Sequence, residues 1–224
     1  MNLVPAATPA NGVIWDTAPS FASGQMPTQL GGVRVTVNRK PAYVYFFCSV
    51  VTSPVCIKDQ INVLTPLDNA LGELDIVVTS GTSLTPAFAV TIRTAAPSFL
   101  LFDTRGHVVA THANNALVGP TTLFPGYSSP AKPGEVVVLY AVGFGLPTTP
   151  LTSGSASQSG LLPAPPVCQI GRMPAALIYA ALISPGLYQL NLTVPLGAPN
   201  GENEISCDYG SSGTGNDVLI TVQQ

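Results

Sequence analysis

Charge is scarce in this chain. Only 8% of its 224 residues are Asp, Glu, Lys or Arg, where a soluble domain usually carries about 25%. The formal net charge is −3 and no basic run occurs. Nucleic acid is therefore excluded as an expected partner, because phosphate binding needs clustered Lys and Arg. Long apolar runs are missing as well. The stretch PAALIYAALI at 174–183 is about half of what a bilayer span requires, so no membrane span is expected. The opening MNLVPAATPANG has neither a basic n-region nor an apolar h-region. It does not read as a signal peptide, and export information is expected from outside this sequence. There are two histidines and one tryptophan. No G-x-S-x-G elbow, phosphate loop or H-E-x-x-H is present, so none of the usual catalytic motifs supplies a reaction.

What the chain does have is turn and strand chemistry. Gly and Pro supply 21 and 22 residues, Ser and Thr are plentiful, and the apolar residues are mainly Val, Ile, Leu and Ala. This is the composition of a β-rich protein with many turns.

The sequence also repeats itself. QINVLTP at 60–66 returns as QLNLTVP at 189–195, 129 residues later. At the same offset Gly72-Glu73-Leu74-Asp75-Ile76 faces Gly201-Glu202-Asn203-Glu204-Ile205, and Gly81 faces Gly210. Val90-Thr91-Ile92 faces Ile220-Thr221-Val222 with one residue of slip. Upstream, VTVNRKPA at 35–42 faces CQIGRMPA at 168–175, an offset of 133. The difference of four residues falls between the blocks, where 17 residues lead from the PA pair to Gln60 but 13 lead to Gln189. A two-copy repeat of this period is too long for a solenoid and predicts two homologous domains in tandem.

Each copy reads as short strands. Val33, Val35 and Val37 alternate with Arg34 and Thr36, the period of a half-buried strand. Asn38-Arg39-Lys40-Pro41 and Gly171-Arg172-Met173-Pro174 read as turns. Further strands follow at Tyr43–Phe47, around Ile61 and Val63 (partners Leu190 and Leu192), at Leu74–Thr79 and Glu204–Tyr209, and at the two copy ends. No convincing amphipathic helix occurs. The predicted fold is all-β: two tandem Ig-like β-sandwich domains. We expect domain 1 at 1–95, a connector with a short hairpin at 96–129, and domain 2 at 130–224. The first strand is visible only in copy two, as GEVVVLYAVGFG at 134–145. Before Met26 only Val13-Ile14-Trp15 looks strand-like, so copy one is expected to be trimmed or to be completed by something else. An open edge in copy one would admit a strand from a neighbouring subunit, and the tail at 2–20 is the donor candidate.

Pro133-Gly134, Tyr140, Gly143, Gly145, Pro174-Ala175, Gly186-Leu187-Tyr188-Gln189 and Pro195 resemble the Solibacter-type C-terminal repeat domain, part of the IPT/TIG group of Ig-like domains. Copy two matches throughout, and copy one from about Pro27 to Pro97. The resemblance implies an Ig-like fold at the end of a large secreted or surface protein of soil bacteria. It implies no catalytic residues and no cofactor.

Four cysteines in a chain of this kind suggest an oxidising compartment and an extracellular or cell-surface location. Cys168 aligns with Val35 and Cys207 with Val78, both inward on strand alternation. An inter-sheet Cys168–Cys207 bond is predicted, with Cys48–Cys56 as a local clip across the inserted segment; four buried free thiols are the alternative.

Asp103, His107 and His112 are the weak metal candidates, and no metal is expected, since 107 and 112 point to opposite faces of a strand. Asp68, Glu73 and Asp75 do not follow a calcium-loop pattern. Trp15, Tyr43, Tyr45 and Phe47 are the candidate binding aromatics. The predicted function is a non-catalytic structural or adhesive module, able to self-assemble by strand addition and partnered by other protein subunits or domains of a longer chain. A carbohydrate-binding accessory module is the alternative, with polysaccharide as partner, and a metal-dependent enzyme is the third reading.

Overall fold

The structure is a computed structural model describing residues 3–54, 56–68 and 70–224. Strands hold 45% of the chain and helices 3%, so the cores are built from sheet faces. The chain forms two compact units. The first comprises Met1–Arg93 together with Leu151–Gln158, and the second Thr94–Pro150 together with Ser159–Gln224. No helix among the described residues is long and apolar enough to cross a membrane.

Among its described residues the first unit holds five strands of four or more residues: β1 Val33–Val37, β2 Tyr43–Cys48, β3 Gln60–Leu64, β4 Gly72–Ser80 and β5 Phe88–Ile92. The second holds six: β6 Val136–Val142, β7 Val167–Ile170, β8 Met173–Ser184, β9 Leu187–Thr193, β10 Gly201–Tyr209 and β11 Leu219–Val222. All pairings between these strands are antiparallel.

The internal repeat is reproduced in the strand registers. In β1–β4 Val35 lies opposite Val78 and Val37 opposite Ile76. In β7–β10 Cys168 lies opposite Cys207 and Ile170 opposite Ile205, the same pairs at the offsets read from the sequence. In β2–β3 Val44 faces Val63 and Phe46 faces Asn62, with a register shift between Val44 and Phe46. In β8–β9 Leu177 faces Leu192 and Tyr179 faces Asn191, with the shift between Leu177 and Tyr179. A bulge kept at the same step in both copies re-aims Tyr45 and Ile178 outward, and both are exposed. Even side-chain bonds recur. Gln60 Nε2 donates to Asn62 Oδ1 and Gln189 Nε2 to Asn191 Oδ1, each at 2.8 Å. The Val78 amide donates to Thr85 Oγ1 and the Cys207 amide to Thr214 Oγ1.

The tight turns follow from local chemistry. Asn38 and Arg39 both have positive φ (50° and 63°), as do Gly171 and Arg172 (60° and 64°). Two successive left-handed residues make the hairpin turn whose twist matches its strands. After each turn the chain pairs briefly with the strand it has left, through Lys40 with Val37 and Met173 with Ile170. It then crosses to the second sheet as β2 or β8.

Among the described residues β6 has no counterpart in the first unit. It lies between β9 on one side and Ser98–Phe99 and Ala110–Thr111 on the other. The segment 96–129, expected as a separate connector, is thereby built into the second unit. Leu101 bridges Val108 across a turn at Thr104-Arg105, His107 bridges Leu219, and Ala131 bridges Val222. Backbone pairing with β6 and β11 gives this segment more partners than a free linker would have. Conversely, Leu151–Gln158, read as part of domain 2, belongs to the first unit. There the Met26 amide donates to the Gly154 carbonyl and the Ala156 amide to the Gly24 carbonyl.

Candidate functional site: an incomplete sheet edge

The first unit's second sheet contains β3, β2 and the short pair Val13–Ile14, in the order Val13–Ile14, β2, β3. Val13 lies opposite Phe47 and Ile14 opposite Phe46. Among the described residues the one strand before Met26 therefore sits on the edge of β2 away from β3. It does not take the place that β6 takes beside β9. Its neighbours Val4 and Trp15 are buried in a cluster with Met26, Leu30, Val33, Val44 and Phe47. Val4 and Val13–Trp15 of the tail are thus engaged within their own unit, contrary to the expected role of a free donor strand, and Asn2 lies outside the described residues. Among the described residues β3 pairs with β2 alone, and its outer edge carries an unpaired row of backbone groups.

The side chains behind that edge register the gap. Ile61, Val63, Leu74, Ile76 and Val78 pack against Val35, Val37 and Ala42 but are only partly buried. Their counterparts Leu190, Leu192, Asn203, Ile205 and Cys207 are all buried. In the second unit Val137, Leu139 and Ala141 of β6 are fully enclosed against that core. β6, with the segment 98–131 paired to it and to β11, is what the second unit has beside these positions and the described residues of the first unit do not.

Both cysteine pairs are bonded, Cys48 to Cys56 and Cys168 to Cys207. The second bond joins directly opposed residues of neighbouring strands, with Cα atoms 4.0 Å apart. The expected inter-sheet geometry is corrected here: β7 and β10 lie side by side in one sheet, as β1 and β4 do. The first bond closes the longer of the two loops joining equivalent strand pairs, the one that holds the four additional residues.

The aromatic candidates divide. Trp15 and Phe47 are core residues and offer no stacking face. Tyr45 packs edge-on against Trp15 with centroids 4.6 Å apart, and the Tyr43 hydroxyl shares a hydrogen bond with Ser153 Oγ at 2.8 Å. The aromatics left well exposed are Phe88 on β5 (69%) and Tyr127 (77%), neither of which strand alternation singles out.

Asp103 and His107 come together, and His112 stands apart from them. His107 is buried, with Nδ1 2.8 Å from Asp103 Oδ2 and Nε2 3.1 Å from Glu202 Oε1. Arg105 reaches the same Glu202 oxygen at 3.2 Å. Burial opposes ionisation of Asp103. The His107 ring and the backbone amides of His107 and Arg105 outweigh it and hold the carboxyl below its ordinary value. His112 instead meets Glu135 through Nδ1 and Ser129 through Nε2. Each imidazole is held by partners on both nitrogens. No cluster of three or more His, Cys, Asp or Glu suited to a metal ion occurs among the described residues. Asp68 is ion-paired with Lys40 at 2.9 Å, which lowers its pKa.

Tyr188 of the G-L-Y-Q stretch donates its hydroxyl to the Gly145 carbonyl. Burial, with Tyr209 nearby, pushes its phenol up to about 12. The spacing of the G-x-G pair has a steric cause: a Cβ on Gly143 (φ +79°) would stand 2.1 Å from the Ala96 carbonyl oxygen.

No family profile, curated protein or solved structure matches this chain.

Proposed function

We propose that the chain is a non-catalytic extracellular structural or adhesive module built from two tandem Ig-like sandwiches of the IPT/TIG type, akin to the Solibacter-type repeat, and that it assembles by strand addition. The observation that carries this reading is the unpaired outer edge of β3 above a half-covered core. A sheet edge is a template for another chain, and natural proteins blunt edges they do not use. Two disulfides support an oxidising compartment. The internal partners of both histidines support a structural role for them rather than a ligand-binding one.

The test is sedimentation velocity with negative-stain electron microscopy from micromolar to millimolar protein. Concentration-dependent oligomers or filaments are expected. A strictly monomeric protein at the highest concentration would remove self-assembly from the reading. Retention on cellulose, chitin or xylan would favour carbohydrate binding instead, and none is expected.

A further inference from the structure

The second unit shows what the β3 edge lacks. There β6 runs antiparallel to β9, with Val137 opposite Leu192, Leu139 opposite Leu190 and Ala141 opposite Tyr188. Leu190 and Leu192 correspond to Ile61 and Val63 at the common offset. A strand in the same register on β3 would place apolar side chains opposite Ile61 and Val63. It would also cover Leu74, Ile76 and Val78, whose counterparts are buried where β6 is present. Gln60–Leu64 contains no Lys, Pro or other edge-blocking residue. The strand is uncharged, and the neighbouring Lys40–Asp68 pair neutralises itself. In the β6 register Ala141 would come opposite Asp59, whose carboxylate already accepts from the Leu3 and Val50 amides and Ser49 Oγ, so within Gln60–Leu64 itself the edge offers apolar and neutral side chains only.

We propose that β3 is a strand acceptor. It takes in trans an extended, uncharged polypeptide segment with apolar side chains at alternate positions, antiparallel to β3 and in the register that β6 keeps against β9. This rests on the assembly reading above and specifies the chemistry of the partner. Main-chain hydrogen bonds to the open edge would supply the pairing. The alternate side chains, of about the size of Val, Leu and Ala, would supply selectivity.

The probe is a synthetic peptide of residues 136–142, VVVLYAV, carrying an uncharged oligo(ethylene glycol) tail for solubility, added to the full chain. Amide exchange is read by mass spectrometry. With free peptide at ten times its Kd, exchange at Gln60–Leu64 is expected to slow about tenfold, with β9 unchanged. A scrambled peptide, a peptide carrying Leu139→Asp, and peptides N-methylated at alternate residues in either phase serve as controls. The scrambled and Leu139→Asp peptides are expected not to bind, and one N-methylated phase is expected to fail. These controls require no altered protein. Val63→Lys in the chain is expected to abolish binding while keeping near-ultraviolet dichroism. Unchanged exchange at β3, protection at β5 instead, or equal binding of the scrambled peptide would overturn the proposal. Self-association separates the two readings. Peptide binding by a monomeric chain keeps the acceptor and removes self-assembly. Assembly that survives Val63→Lys, and that the peptide does not compete, keeps assembly and overturns the acceptor.

Discussion

Cys168 and Cys207 stand where the first unit has Val35 and Val78, so the chain carries its own control for the disulfide. Replacing both by Val should preserve packing, because a Val pair already fills that place in β1–β4. It would remove the cross-link closing a 39-residue separation, which the chain-entropy model values at about 3–4 kcal/mol. Urea denaturation of Cys168→Val/Cys207→Val should show the second unit weakened by about that amount. A change below about 1 kcal/mol would mean the unfolded chain gains little freedom when the bond is absent. Tyr188 makes a second residue-scale prediction. Its phenol sits above the ordinary Tyr value because burial disfavours the anion. The stabilisation is therefore complete below about pH 10 and is lost as pH rises toward about 12. Tyr188→Phe should cost about 1 kcal/mol at neutral pH, from the lost bond to Gly145, and should flatten the alkaline limb of the stability curve. Asp103 has the opposite sign. Its depressed carboxyl stabilises the fold above the ordinary Asp value near pH 4 and loses that effect as pH falls through the lower folded value. Asp103→Asn should make the second unit's stability less dependent on pH below about 4. An acid limb identical to that of the parent chain would show that the His107–Asp103 contact does not carry the effect.

At the scale of elements, β3 and β9 are the same strand in different company. β9 has β8 on one side and β6 on the other, while β3 has, among the described residues, β2 alone. Native-state hydrogen exchange should find β9 amides protected to near the global stability of their unit. Outward-facing β3 amides should exchange at least about a hundredfold faster, because an edge group opens without breaking a ladder. Equal protection would mean that something already covers β3. The elements also show what the sequence could reveal. The repeat offsets of 129 and 133 place the β1–β4 and β2–β3 pairs correctly, because a four-residue insertion in one loop leaves strand registers untouched, and the last strand follows with the one-residue slip read from the sequence. The inward alternation of Val33, Val35 and Val37 is borne out by their burial. The fate of Val13–Ile14 was not legible. Two apolar residues fit either edge of a sheet, and the choice of β2 follows from Trp15 and Val4 reaching the core, which periodicity does not encode. Nor was the Cys168–Cys207 geometry legible, since inward alternation gives the face of a strand but not its neighbour. The segment 96–129 looked like a linker because its paired pieces are two residues long, too short for any periodic signal.

Taken as a whole molecule, the chain holds two versions of one unit, and only the second has its core closed. The exposed parts of Ile61, Val63, Leu74, Ile76 and Val78 each forgo up to about 1 kcal/mol of burial, so the first unit should be the weaker of the two. Calorimetry should resolve two transitions, with the first unit melting at the lower temperature. Leu151–Gln158 folds with the first unit while the residues flanking it belong to the second. Melting the first unit therefore frees a loop of the second without breaking β6 to β11. A strand that binds the folded first unit and not its unfolded form must raise the lower transition alone. At one hundred times its Kd the gain is about 2.7 kcal/mol, which for a unit near 100 residues is a rise of roughly 10–20 °C. The β6 peptide should produce that shift and its scrambled form should not. If self-assembly uses the same edge, raising protein concentration should also move the lower transition and leave the upper one in place. If both transitions moved together, the added strand would be acting on something other than the gap beside β3.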